Sequence, residues 1–217
     1  MNERKQRLLS VVEVLASVVR TIQLRRTFSA VSPTPTLVMW RVIYGNLTDM
    51  AVLEWCKLFG SDDEHNQPVH WKNIASDPEQ FRKDLFSKMR IYESKWRSYW
   101  TEMKRYRDQV VAHHDQRRVG IKNYPTFDLA LESAYFYYDF VVAELRKSGI
   151  DQQPKDLRAY GAEFAAQCRD IAATAMGATR SLRSGYIERS IERTAHPRKA
   201  EILSLPTSSV GFSYRSR

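Results

Sequence analysis

The densest gathering of reactive side chains in this chain is Tyr106-Arg107-Asp108-Gln109-Val110-Val111-Ala112-His113-His114-Asp115. An arginine presents paired donors to a phosphate and keeps its proton at neutral pH. A histidine accepts or donates a proton near neutrality. The two together suffice to cleave RNA without a metal. The histidine assists attack by the ribose 2′-hydroxyl, and the arginine stabilises the charge that builds on the phosphorane. Asp108 is placed to hold the arginine or orient a histidine, and Asp115 to do the same from the other side.

Spacing leaves the choice of histidine open. At about 100° per residue, His114 returns to nearly the same helical face as Arg107. His113 points elsewhere on a regular helix, but swings toward Arg107 if the helix ends near Ala112. A plainer reading also exists. Arg107 and Asp108 would form surface ion pairs, and the histidines would sit at a helix C-terminus, where positive charge is favoured.

The motif lies at the end of what reads as the longest helix. Ser76-Asp77-Pro78-Glu79 is a helix start: a capping residue, proline in the first turn, then an acid. The helix or helix pair that follows reaches about Ala112. Phe81, Leu85, Met89, Tyr92, Trp96, Tyr99, Trp100, Met103, Tyr106 and Val110 carry its apolar face. Between Arg82 and Arg107 stand nine Lys/Arg against three acids. Basic residues among aromatics suit a nucleic-acid surface, with Arg97, Lys104 and Arg105 before the motif and Arg117 and Arg118 after it. At helical spacing the aromatics themselves fit a core stripe better, with the basic back solvated.

The remaining elements are helical too. Leu8, Val11, Val12, Leu15, Val18, Val19 and Ile22 make one stripe on a helix over about 4–28. Pro33 and Pro35 break it. A second helix spans about 36–59, with Asn46, Thr48 and Asp49 as local hydrogen-bonders beside its apolar face. The acidic loop 60–68 with Cys56 and His70 matches no metal spacing, so it reads as surface pinned by Trp71. A fourth helix covers about 126–147, ended by Ser148-Gly149. Pro154 opens a fifth to about 182, whose alanines would permit close helix approach.

Scarce glycine and proline, eight each in 217 residues, agree with an all-α protein. The expected fold is a compact bundle of about four to five helices. Residues 1–150 form the bundle, 151–182 an additional helix packed on it, and 183–217 a basic, partly disordered tail. The net charge of +9 resides in the ends. Residues 1–30 hold six Lys/Arg against two acids, residues 180–217 eight against three, and the middle twenty against twenty. Basic ends suit a nucleic-acid partner. Two distant cysteines fit no disulfide framework, and a cytoplasmic setting is the simplest account. No apolar run is long enough to span a membrane. No glycine-rich phosphate loop or His-Glu-x-x-His motif is present, against common NTPase and metalloprotease classes.

The motif resembles the Arg-x(4–6)-His signature of the HEPN superfamily, in which a polar residue follows the arginine. Here five residues separate Arg107 from His113. Tyr106-Arg107-Asp108 and Val111-Ala112-His113-His114-Asp115 look most like the abortive-infection, AbiU-type branch. The resemblance covers under a tenth of the chain. It implies a helical bundle, a homodimer in which two motifs share one cleft, and a metal-independent endoribonuclease of phage defence or a toxin–antitoxin system. It implies no cofactor, RNA as the target, and an antitoxin or defence-system partner. Arg107 and His113 carry over as the catalytic pair and Asp108 as the polar partner. His114, Asp115 and Tyr106 are supporting residues. Some members of the family are inactive and bind RNA or nucleotide, or serve assembly, and that is the competing expectation.

Overall fold

The computed structural model describes residues 3–35, 37–61, 68–112, 124–152 and 154–182. Nearly all of these belong to one compact unit that extends to Arg180. The described residues are all-α, with no strand among them. Seven α-helices follow one another: α1 (Glu3–Val31), α2 (Val38–Phe59), α3 (Trp71–Ile74), α4 (Pro78–Met89), α5 (Glu93–Tyr106), α6 (Asp128–Lys147) and α7 (Leu157–Ala178). A π-helical segment, Arg107–Ala112, continues α5. The count exceeds four to five because α3 is a separate short turn and residues 78–106 form two helices.

α1 is the central element and packs against α2, α6 and α7. Its expected stripe is buried without exception, from Leu8 through Ile22. At 29 residues it is also the longest of the described helices. The motif-bearing helix is therefore not the longest: α5 has 14 residues before the π segment begins.

The division between α4 and α5 falls at Arg90, which adopts the left-handed conformation with φ 54°. The Ile91 N–H donates to the Phe86 carbonyl at 3.1 Å and the Arg90 N–H to Ser87 at 3.1 Å. This is the hydrogen-bond pattern that ordinarily ends a helix at glycine. An arginine there gives no stop signal in the sequence. Tyr92 lies in the break and is 85% exposed, so it leaves the apolar face assigned to it. Phe81, Leu85, Tyr99, Met103 and Tyr106 are buried as expected, while Met89, Trp96 and Trp100 are half-buried.

At three other helix ends the cap follows residue type. Asp77 accepts from the Gln80 N–H at 2.9 Å, with Pro78 in the first turn of α4. Gly149, at φ 76°, closes α6, and the Ile150 N–H reaches the Leu145 carbonyl. α7 begins later than Pro154 suggested. Asp156 caps it by accepting from the Arg158 and Ala159 N–H groups.

The core joins aliphatic α1 to aromatic α2, α5 and α6. Trp55 stacks on Phe59, meets Tyr99 edge-on, and donates its indole N–H to Ser133 at 3.0 Å. Tyr137 is fully buried and donates to the Val69 carbonyl at 3.0 Å. Arg158 of α7 forms a two-pronged pair with Glu132 of α6, at 2.8 and 2.6 Å, over the Tyr135 ring. That hydrogen-bonded pair holds the Glu132 carboxyl below its ordinary range.

The closest approach of α7 to α1 is at a glycine. Of the alanines of α7, Ala172 is buried and Ala165 and Ala175 are half-buried, while Ala162, Ala166 and Ala173 are exposed. Gly161 is buried, and a methyl group there would meet Val19 Cγ1 at 2.6 Å. Val19 is stiff at that bond. Gly45 of α2 has no neighbour within 4 Å in the same test. Gly161→Ala is expected to lower stability by about 1 kcal/mol, because overpacking at about 1–3 kcal/mol outweighs the helix-propensity gain. Gly45→Ala is expected to raise it by about 0.5–1 kcal/mol. Urea unfolding midpoints at constant slope check both signs.

Candidate functional site around Arg107

α5 reaches the motif with its register fixed by burial. Tyr99, Met103 and Tyr106 point into the core, at three- and four-residue steps. The opposite edge of the same face carries Glu93, Arg97, Trp100, Lys104 and Arg107 in one line along the helix. Arg107 begins the π segment, where backbone bonds span five residues rather than four. The α-helical wheel that placed His114 over Arg107 therefore does not apply beyond Tyr106.

Arg107 sits at the boundary between core and water, with its side chain 21% exposed. Asp108 holds it: one carboxylate oxygen accepts from Nε and lies 2.7 Å from a terminal guanidinium nitrogen. The expected role of Asp108 as a partner to the arginine is thus present in the structure. A mostly buried guanidinium with one carboxylate keeps donors in hand, since it has five.

Tyr106 is buried and braces the site from below. Its hydroxyl donates to the Asp49 carboxylate of α2 at 2.7 Å, across 57 residues of chain. Asp49 is the residue that sequence reasoning missed. By sequence it groups with Asn46 and Thr48 as a local hydrogen-bonder. Thr48 is one, donating to the Tyr44 carbonyl at 2.9 Å. Asp49 instead ties the motif to α2. No spacing rule pairs it with a tyrosine so distant, so only its place beside an apolar stripe marked it as unusual.

Cys56, on the same helix, lies under the motif. Burial pushes its thiol up to about 12 against the pull of Arg107 and Lys104, with Asp108 adding a smaller upward push. The desolvation cost outweighs the nearby cations, so Cys56 stays a neutral thiol. It is a packing residue beneath Arg107 rather than a nucleophile.

The expected nucleic-acid residues separate. Arg97 and Lys104 share the Arg107 line, and the Lys104 ammonium lies 4.4 Å from the centre of the Trp100 ring. Arg105 points about a third of a turn away and donates to Gln109 at 3.1 Å. His113, His114, Asp115, Arg117 and Arg118 lie outside the described residues, as does the tail 183–217. Among the described residues, no three His, Cys, Asp or Glu groups are placed to hold a metal, and no helix is long and apolar enough to cross a membrane.

No family model, curated protein or solved structure matches the chain.

Two outcomes follow from this geometry. Tyr106→Phe is expected to cost about 1.5–3 kcal/mol, the range for a hydrogen bond to a charged partner. In a double-mutant cycle with Asp49→Asn, the two changes should fall well short of additive in chemical denaturation. At pH 8, iodoacetamide should modify half-buried Cys168 while leaving buried Cys56 intact until the chain is unfolded. Peptide mass spectrometry reads both sites.

Proposed function

We propose that this protein is a metal-independent endoribonuclease of the HEPN type, with Arg107 and His113 as its catalytic pair. The observation that carries the reading is the braced guanidinium of Arg107. Asp108 holds it, the neighbouring Tyr106 ties its helix to Asp49 of α2, and Lys104 and Arg97 share its helical edge. Such an arrangement offers preorganised positive charge where phosphate charge would grow.

In this reading the 2′-hydroxyl oxygen bonds to phosphorus and the phosphorus–O5′ bond breaks. His113 takes the 2′-hydroxyl proton, and the leaving 5′-oxygen is protonated. The products are a 2′,3′-cyclic phosphate and a 5′-hydroxyl end. Arg107 offers its guanidinium donors to the non-bridging oxygens as they gain charge. A homodimer would bring two such centres into one cleft. The outer face of α2 exposes Val38, Met39, Val42 and Met50, an apolar surface that a second copy would cover. RNA of a phage-defence or toxin–antitoxin pathway is the proposed target class, in a cytoplasmic setting.

A second reading has its own support. Asp108 already engages two guanidinium nitrogens of Arg107, as in a purely structural ion pair. The protein would then bind RNA or nucleotide, or serve assembly, without cleaving.

Cleavage of single-stranded RNA in EDTA separates the two. The nuclease reading expects cyclic phosphate ends and a loss of at least about a hundredfold in rate for Arg107→Ala and for His113→Ala. Unchanged cleavage in both variants refutes the assignment. Salt-sensitive RNA binding with no cleavage favours the second reading.

A further inference from the structure

Away from Arg107, a surface groove of about 530 Å³ is bounded by the end of α2 and by α3, α4 and α5. Its volume lies in the range of ligand-binding clefts. Its walls include Trp71, Phe86, Trp96 and Trp100, and its charged lining is Lys72, Arg82 and Arg97 with Glu79 and Glu93.

The aromatic walls are rigid. Trp71 stacks on Phe81, with ring centres 5.0 Å apart and planes 16° from parallel. Trp96 packs against Trp55, Phe59 and Phe86. Trp100 donates its indole N–H to the Phe59 and Gly60 carbonyls, at 2.7 and 3.1 Å. These bonds tie α5 to the last turn of α2 and hold the ring in place. Trp71 is buried, with 8% of its surface exposed, so half-buried Trp96 and Trp100 supply most of the groove's aromatic surface, with the Lys104 ammonium beside the Trp100 ring.

The charged lining holds three cations against two carboxylates. Arg82 and Arg97 both approach Glu93, at 3.8 and 3.3 Å, so one carboxylate faces two guanidinium groups. All three side chains are well exposed, and ion pairs of this kind contribute little. A phosphate can replace the glutamate without a large penalty. A fixed aromatic wall beside these arginines suits a base with its phosphate: any base offers a face to stack, and the guanidinium takes the charge.

The groove also leads to the candidate site. Arg97, Trp100, Lys104 and Arg107 share one edge of α5. Ten residues at 1.5 Å rise place Arg107 about 15 Å along the axis from Arg97. We propose that this groove is a base-stacking subsite for single-stranded RNA, holding a nucleotide at a distance from the bond presented to Arg107. It deepens the RNA reading of Arg107 by fixing where the strand is gripped, and it is testable without turnover.

The test uses full-length Arg107→Ala protein, in which RNA stays intact, with hexauridylate as the probe. The five tryptophans give five indole N–H resonances in a ¹H–¹⁵N spectrum. Those of Trp71, Trp96 and Trp100 are expected to shift saturably, while Trp40 and Trp55 hold. Adding Arg82→Glu and Arg97→Glu, both on exposed side chains, should weaken the affinity at least about tenfold, comparable to losing one stacked base. The subsite is overturned by absent binding, by shifts confined to Trp40 and Trp55, or by undiminished affinity in the charge-reversed protein. Wild-type cleavage is scored separately. Groove shifts without cleavage keep the subsite and remove the nuclease reading; cleavage without groove shifts does the opposite.

Discussion

The burial of Trp55 is the contact on which the rest of the arrangement depends. Its side chain is fully enclosed where α2, α5 and α6 meet. It contacts Phe59 on its own helix, Trp96 and Tyr99 on α5, and Ser133 on α6. A large ring with a polar edge packs well only if both requirements are met. The indole N–H therefore selects the approach of α6 through Ser133, which in turn donates to the Ala130 carbonyl. The ring faces select the rotation of α5. Once α5 is held at that rotation, Tyr106 faces Asp49 and the line Arg97–Lys104–Arg107 faces outward.

Arg107 is placed by this constraint at the edge of the core. A fully exposed arginine would be hydrated and loosely held; a fully buried one would need its charge neutralised throughout. The boundary position gives partial desolvation with one carboxylate partner, Asp108, among the described residues. Asp108 contributes orientation more than stability, since half-exposed ion pairs are weak. Cys56 below shows the same boundary from the other side, as a thiol kept neutral although cations lie nearby. The π-helical turn that starts at Arg107 belongs here too, because such departures from α geometry frequently accompany functional positions.

Much of the molecule is legible in its sequence. The stripe on α1, the cap at Asp77-Pro78, the stop at Gly149 and the core role of Tyr99, Met103 and Tyr106 follow from periodicity and local backbone chemistry. These signals act within a few residues, so they are written in a few residues. The break at Arg90 was not legible, because a left-handed cap on arginine is set by the packing of α4 and α5 rather than by the residue. The small residues of α7 were legible only in part. Small size permits close approach, but only the packed face uses it, and there stand Gly161 and Ala172, while Ala162, Ala166 and Ala173 face water.

By itself, the sequence determined an all-α chain, the hydrophobic faces of its helices, and a short motif rich in phosphate-capable and proton-transferring groups. The tertiary structure decided which of those groups meet. It paired Tyr106 with Asp49, set Arg107 against Asp108 at a half-buried boundary, and put Arg105 on a different face from Arg97 and Lys104. It also gathered tryptophans from α3 and α5 into one groove with arginines from α4 and α5. The reason is one of range. Helical periodicity and capping are local and repeat along the chain, whereas a contact between residues 49 and 106 exists only after distant helices pack and exclude water.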